Sequence, residues 1–149
     1  MASVTNQEKI VVIDGKDLIL GRLGSAVAKR LLLGETIKIV NCRDVVILGR
    51  KKFLVEKYKG TFSRTVTYHG PYYSRSPADI VKRSMRKMLP YRNARGAVAY
   101  KRLKCFTSTP STLLSAEKET VQSATMDQES VFYYTKMGEI CKALGYAEK

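Results

Sequence analysis

The feature that most constrains the fold is a strand–helix–strand pattern near the start of the sequence. Residues 10–13 are a short β-branched run that ends at the turn Asp14-Gly15, which is typical of a buried strand. A glycine-containing stretch then opens an amphipathic helix at about 21–33, and residues 36–40, mostly β-branched, are predicted as a second strand. A strand, a helix and a strand within about 30 residues indicate a βαβ unit with parallel strands and a right-handed crossover. The sequence therefore predicts an α/β fold.

The remaining elements are predicted from shorter patterns. Residues 45–48 are a third apolar stretch, and after them we predict a helix at 50–60, a loop or hairpin at 61–75, helices at 77–89 and 94–102, a strand at 103–106 and a final helix at about 130–144. Residues 107–130 contain 10 Ser or Thr, which indicates an extended segment with few core residues. In the first helix, Arg30 falls on the apolar face of Leu23, Val27 and Leu31, which the sequence alone does not explain.

Positive charge is concentrated in the middle third of the chain. The 149 residues include 27 Lys or Arg and 13 Asp or Glu, which gives a formal net charge of +14. Residues 50–104 hold 16 basic side chains and only two acidic ones, Glu56 and Asp79, whereas both flanking thirds are nearly neutral. A fold does not need such an excess, and self-repulsion opposes compaction. A polyanionic partner is therefore the first functional hypothesis.

The predicted helix at 77–89 has a sharply divided surface. Ser76 and Pro77 form a helix-start signal, with Ser76 as the N-cap and Pro77 at the first helical position. At helical spacing one half can be buried and the other half is basic; the first set is Ile80, Val81, Ser84, Met85, Met88 and Leu89, and the second is Lys82, Arg83, Arg86 and Lys87. Solvated faces normally mix charges of both signs. We therefore expect the basic half to face phosphate groups.

The composition argues against several classes of protein. All apolar runs are far shorter than the roughly 20 residues of a membrane-spanning helix, and residues 1–9 are polar, so we expect neither a membrane span nor a secretory signal. Cys42, Cys105 and Cys141 are odd in number and far apart, which favours buried thiols over a zinc site or disulfides. His69 is the only histidine, so no metal cluster or catalytic triad is predicted.

Several motifs together resemble one known family. They are Val12-Ile13-Asp14-Gly15, Gly21-Arg22-Leu23-Gly24-Ser25, Val46-Ile47-Leu48-Gly49-Arg50-Lys51, His69-Gly70-Pro71-Tyr72, the most specific run Met85-Arg86-Lys87-Met88-Leu89-Pro90 followed by Gly96 and Arg102-Leu103-Lys104, and finally Gly138, Ile140, Leu144, Gly145 and Tyr146. Over almost the whole chain these motifs resemble the large-subunit ribosomal protein L13 family, in its eukaryotic L13a form. Cys105 and Ser108 depart from the family pattern, and the chain lacks the basic residues common at 107–130 and the long tail of most eukaryotic members.

The resemblance implies both a fold and a role. The fold is a three-layer α/β sandwich, with a central, mostly parallel sheet flanked by helices and a C-terminal extension. We expect an RNA-binding α/β domain at residues 1–106, followed by an extended segment and C-terminal helix at 107–149. The role is that of a non-catalytic constituent of the large ribosomal subunit, without a cofactor, which binds its ribosomal RNA and neighbouring ribosomal proteins and supports assembly. We expect it in cytoplasmic ribosomes after nuclear or nucleolar assembly, and not as a homo-oligomer.

The basic third supplies the candidate RNA-binding residues. Lys and Arg neutralise phosphates, Arg also grips them bidentately, and Tyr can stack on unpaired bases. Among the tyrosines of this region, Tyr72 and Tyr73 are the best stacking candidates. The predicted RNA-binding set is Arg50, Lys51, Lys52, Lys59, Arg64, His69, Tyr72, Tyr73, Arg75, Lys82, Arg83, Arg86, Lys87, Arg92, Arg95, Lys101 and Arg102.

Two alternative functions remain open at this point. The βαβ opening with Gly21-x-x-Gly24 weakly suggests a nucleotide-binding enzyme, but neither GxGxxG nor GxxxxGK[ST] occurs. Asp14 and Asp17 lack a partner at metal-ligand spacing, so we expect no enzyme and interpret the two glycines as allowing a tight turn and close helix–sheet packing. A free RNA-binding regulator outside the ribosome is the second alternative, which the sequence does not exclude as an additional role.

Overall fold

The structure, a computed structural model, describes residues 10–64, 68–126 and 133–147. Its helices and strands in these ranges are β1 Ile10–Asp14, α1 Leu20–Leu32, β2 Thr36–Val40, β3 Val46–Leu48, α2 Lys51–Ser63, α3 Pro77–Met88, α4 Ala94–Lys101, β4 Leu103–Cys105, β5 Lys118–Glu119, β6 Tyr134–Lys136 and α5 Met137–Ala143. Helix α2 is longer than predicted, because residues 61–63, which we expected in a loop, continue it.

The central sheet is built on the predicted βαβ unit. Strands β1 and β2 pair in parallel over five residues, from Ile10 with Thr36 to Asp14 with Val40, and α1 connects them. Strand β4 pairs in parallel with β2 and strand β5 pairs in parallel with β1, which gives the order β4-β2-β1-β5. The expected α/β fold, with a mostly parallel sheet flanked by helices, is therefore confirmed.

The two faces of the sheet are covered differently. On one face, Ile13 and Ile37 pack with apolar residues of α1, α3 and α4 in the main core. On the other face, Val12 and Val40 pack against Leu113, which belongs to the segment that follows β4. The side chains of β1 and β2 alternate between these two cores because successive strand residues point to opposite faces. The helix-covered face carries the larger core, so it fixes the positions of α3 and α4.

The segment 107–126 contains few buried side chains, in agreement with its composition. Its buried apolar residues are Leu113, Ala124 and Met126, and the exposed strand β5 adds the fourth strand of the sheet. Arg30 connects this segment to α1, because its guanidinium pairs with Glu35 and Glu119, each at 2.6 Å. The hydrogen bond to Glu119 raises the pKa of Arg30 above its usual value. These two carboxylates explain why an arginine occupies the apolar face of α1.

The C-terminal part contains a strand where we predicted a helix. We expected the last helix to begin near residue 130, but α5 begins at Met137, and residues 134–136 form β6; residues 130–132 lie outside the described part. Strand β6 pairs antiparallel with β3. The third apolar stretch of the sequence therefore belongs to a small second sheet and not to the central one. The prediction was wrong because pairing with β3 depends on a contact distant in sequence, which helical periodicity does not reveal.

Candidate nucleic-acid interface

Helix α3 has the two halves that the sequence predicts. It begins at Pro77 after the N-cap Ser76, although the Ser76 side chain makes no capping hydrogen bond. Ile80, Val81 and Met85 are buried in the main core. The prediction was wrong for Met88, which is 42% exposed, because it is the last helical residue and its sulfur lies over Gly24 of α1 rather than inside the core. The basic half is thus held toward the outside by the burial of the other half.

Three bases of α3 each lie over a tyrosine ring. The Arg83 guanidinium carbon is 4.0 Å from the centre of the Tyr73 ring, and that of Arg86 is 4.2 Å from the Tyr91 ring. The Lys82 amine is 5.2 Å from the Tyr100 ring. Such cation–π contacts contribute about 0.5–1 kcal/mol each at exposed sites. They also restrict the positions of long, flexible side chains, so the cations of α3 are oriented before any ligand arrives.

The loop before α3 and the end of α2 extend this arrangement. Arg75 lies over the Phe62 ring at 5.8 Å, and the Phe62 ring meets the Tyr73 ring edge-on with centroids 5.9 Å apart. Arg83 covers Tyr73 and also donates a hydrogen bond from Nη1 to the Tyr72 carbonyl oxygen at 3.2 Å. Two aromatic rings, Phe62 and Tyr73, therefore lie between Arg75 and Arg83 in one row across three elements. This row fixes the loop that carries the predicted stacking pair Tyr72 and Tyr73.

A groove of about 460 Å³ separates α2 from α3. Lys57, Thr61 and Phe62 line it from α2, and the bases of α3 line the opposite side, together with the loop at 72–74 and with Tyr100 of α4. Lys57 and Phe62 are absent from the predicted set. Phe62 was missed as a functional residue, and Tyr100 was considered only as one of the tyrosines that could stack on RNA, because their contacts with cations distant in sequence leave no signal in the sequence. Lys57 could have been found as one more base of a basic helix.

Within the described part of the protein, no ion pair joins a basic side chain of α3 to a carboxylate. Ion pairs there lie elsewhere and join Arg30 to Glu35 and Glu119, Arg43 to Asp44, Lys51 to Glu139 and Lys136 to Asp17. The positive charge beside α3 also affects one tyrosine. A hydrogen bond with Arg92 and the charge of Arg86 lower the pKa of Tyr91, whereas burial raises the pKa of Tyr58 and Tyr100. The basic surface is thus available to an external anion.

Two further predicted basic residues follow α3, one in the turn after it and one at the start of α4. A Cβ atom at Gly96 would lie 2.1 Å from the Pro90 carbonyl oxygen, a distance that no real Cβ contact reaches, so only glycine fits. The Asn93 amide also donates to the Pro90 carbonyl oxygen at 3.0 Å. Arg92 is exposed on this closed turn, and Arg95 is exposed at the start of α4. The glycine in the predicted motif therefore keeps these arginines close to the end of α3.

Other predicted residues do not line the groove. At the start of α2, Arg50 lies over the Tyr133 ring at 4.5 Å, and Lys51 pairs with Glu139 at 2.9 Å. These two bases contact the C-terminal part of the chain. The remaining predicted residues lie on the surface, with Arg102 half-buried and the others exposed: Lys52, Lys59, Arg64, His69 and Lys101. Their contact with RNA stays a prediction.

The residues behind the enzyme alternative have structural partners. Asp14 accepts hydrogen bonds from the Lys16 amide and the Asn41 side chain, and Asp17 pairs with Lys136. Gly24 does pack closely, but against Met88 of α3 rather than against the sheet. A Cβ atom at Gly21 would meet nothing within 4 Å, so the expected packing role is wrong for that residue.

Cysteines, metal sites and membrane spans can be assessed in residues 10–64, 68–126 and 133–147. The three cysteines are free thiols, of which Cys42 and Cys141 are buried, and burial raises the pKa of Cys141 to about 12. Over these ranges no cluster of His, Cys, Asp or Glu is arranged to hold a metal ion. No helix in the same ranges has both the length and the apolar character needed to cross a bilayer.

Known proteins are similar in sequence to this chain over nearly its whole length. Residues 8–112 match the family described as Ribosomal protein L13. The chain belongs to the ribosomal protein L13 family. It is 40% identical to the large ribosomal subunit protein uL13 of Archaeoglobus fulgidus over 93% of this chain and 90% of the archaeal one. It is 42% identical to the protein of the same name from Methanosarcina barkeri, over 91% of this chain and 98% of that one. Family members are structural ribosomal proteins and not enzymes, as the sequence led us to expect.

Proposed function

We propose that this member of the L13 family is a structural constituent of the large ribosomal subunit that binds ribosomal RNA mainly through α3. The observation that carries this proposal is the basic half of α3, where Lys82, Arg83 and Arg86 are oriented by tyrosine rings and no carboxylate of the described residues pairs with them. Charge without an internal counter-ion favours a phosphate backbone, since each neutralised phosphate releases counter-ions.

The predicted RNA-binding set extends this surface beyond α3. Further exposed basic side chains are Arg92 in the turn after α3, Arg95 in α4, Lys59 in α2 and Arg64 at the C-cap of α2. Backbone contacts of this kind fix the position and orientation of a protein on RNA without reading its sequence. The nearly neutral flanking thirds suit contacts with neighbouring ribosomal proteins. A chain with this division of charge supports assembly by joining RNA to protein.

We also propose that the chain is of the eukaryotic L13a form, as its C-terminal residues suggest. Gly138, Ile140, Leu144, Gly145 and Tyr146 are similar to the eukaryotic L13a form, although the relatives compared above are archaeal. A eukaryotic member would enter the large subunit in the nucleus or nucleolus and then act in cytoplasmic ribosomes, and not as a homo-oligomer. Cell fractionation, with the chain detected by mass spectrometry, tests this placement.

The proposed function is tested by reversing the charge of Arg83, Arg86 and Lys87 together to Glu. We expect the variant to fold, because all three side chains lie on the outer half of α3, and to be absent from large subunits separated on a sucrose gradient. A matched control reverses Lys16, Lys29 and Lys118, three exposed bases outside the proposed surface, and should be incorporated. Normal cosedimentation of the α3 variant with large subunits would show that the surface is not required.

A further inference from the structure

We propose that the groove between α2 and α3 binds an unpaired ribonucleotide, whose base stacks on the guanidinium of Arg83. This inference rests on the proposed function, because the nucleotide is presented by the RNA that the basic half of α3 binds. The inference goes beyond the proposed function by naming a site of defined shape and the class of ligand that binds there. The volume of about 460 Å³ lies within the roughly 300–1,000 Å³ that is usual for small-molecule sites.

The lining of the groove suits a nucleotide because it combines aromatic and cationic side chains. Arg86 and Lys87 line the groove from α3 and Lys57 lines it from α2, so these basic side chains can hold a phosphate from both sides. Asp79 is the carboxylate in the lining, at the first turn of α3, and can accept a hydrogen bond from a base amino group or a ribose hydroxyl. Phosphate, ribose and base thus each have a complementary group in one groove.

Arg83 is the residue whose geometry favours base stacking. The Tyr73 ring covers one face of its guanidinium at 4.0 Å, and Nη1 donates to the Tyr72 carbonyl oxygen at 3.2 Å. These two contacts fix both the position and the rotation of a planar group that would otherwise be flexible. Arg83 lines the groove, where a ligand can reach it, and Arg planes are a common stacking surface for unpaired RNA bases.

The tyrosines of the region act as positioning residues for the cations in this arrangement. Tyr73, Tyr91 and Tyr100 each have a cation of α3 over the ring, so those ring faces are engaged within the protein. The sequence predicted Tyr72 and Tyr73 as the surfaces on which a base stacks. For Tyr73 we infer instead that the ring holds Arg83 and that Arg83 contacts the base.

The shape of the site selects an unpaired nucleotide over a duplex. Lys82 and Arg83 are half-buried on the wall of the concave groove. Bases of an A-form duplex are stacked on one another and paired, so they cannot reach the plane of a recessed arginine. A nucleotide extruded from a loop or bulge can enter the groove while the neighbouring nucleotides contact the exposed Lys and Arg side chains at its rim.

The test uses fluorescence anisotropy to measure the affinity of the full chain for different forms of RNA. The probes are a labelled, short single-stranded oligoribonucleotide of mixed sequence and the same strand annealed to its complement, with ribonucleoside 5′-monophosphates as competitors. Non-specific electrostatic binding favours the duplex, whose charge density is higher. We expect the opposite order, with the single strand bound about tenfold more tightly than the duplex at the same salt concentration.

Matched variants test the role of Arg83. Arg83→Lys keeps the charge and removes the planar group, so we expect about a tenfold loss of affinity for the single strand and little change for the duplex. Arg22→Lys makes the same change on the exposed surface of α1 and should alter neither affinity. Tyr73→Phe keeps the ring and should retain binding, whereas Tyr73→Leu should match Arg83→Lys; thermal melting verifies the fold of each variant.

The possible results separate the inference from the proposed function. Equal affinity for single strand and duplex, or equal behaviour of Arg83→Lys and Arg22→Lys, would overturn the nucleotide site and leave general RNA binding in place. A free mononucleotide that binds as tightly as the oligonucleotide would overturn it as well, because the site would then serve a soluble ligand. Absence of binding to every RNA form would refute the proposed function together with the inference.

Discussion

Arg30 and Arg83 lie on neighbouring helices and have opposite kinds of partner. Arg30 on α1 pairs with two carboxylates at 2.6 Å, one of them on β5, so its charge is neutralised within the fold. Arg83 on α3 is held by a tyrosine ring and a carbonyl oxygen, which orient its charge without cancelling it. An arginine therefore stabilises the fold when its partner is an anion and remains available for binding when its partner is neutral.

The largest expected effect concerns salt. If about eight of the central bases contact phosphates, the affinity for ribosomal RNA should fall about 10³–10⁵-fold between 50 and 200 mM salt. Replacing Arg86 and Lys87 should reduce the slope of log affinity against log salt concentration by about two, one for each lost phosphate contact, because Arg83 is assigned to base stacking. Arg30→Met should leave the slope unchanged. Filter binding measures both slopes. An equal change of slope in the two variants would show that the basic side chains of α3 contact phosphates no more than Arg30 of α1 does.

The next effect concerns stability. Arg30→Met should lower the free energy of unfolding by about 1 kcal/mol, because it leaves Glu35 and Glu119 without their charged partner. Urea unfolding followed by circular dichroism measures the difference, and Arg22→Met, a change on the exposed side of α1, is the control. The two carboxylates would have no stabilising role if both variants unfolded at the same urea concentration.

The smallest effect is a difference in tyrosine titration. Arginine neighbours favour the charged phenolate and lower the pKa of Tyr91, whereas burial disfavours the phenolate and raises the pKa of Tyr58. In ultraviolet titrations, Tyr91→Phe should therefore remove a component that ionises at lower pH than the component removed by Tyr58→Phe. Components at the same pH would mean that the positive potential beside α3 does not reach Tyr91.

Local patterns predicted the elements whose stability depends on nearby residues. The βαβ unit followed from two β-branched runs around an amphipathic helix, and α3 followed from Ser76, Pro77 and the separation of its two faces. Strand β6 was missed because it forms by pairing with β3, far away in the sequence. Short strands of this kind have no periodicity long enough to distinguish them from the start of a helix.

The candidate site was predicted in composition but not in arrangement. The sequence indicated the bases of α3 and the loop tyrosines, since segregated charge is visible on a helical projection. It did not indicate that Tyr73, Tyr91 and Tyr100 hold those bases, because each ring comes from a different part of the fold.

By itself, the sequence determined the α/β class, the location of the positive charge and the family to which the chain belongs. Helical and strand periodicity, and the spacing of the family motifs, are properties of residues close together in the chain. The tertiary structure decided which charges are neutralised and which remain for a ligand. The physical reason is that a charge is cancelled only by a group that folding brings within a few ångströms, as it does for Arg30 with Glu119 and not for Arg83.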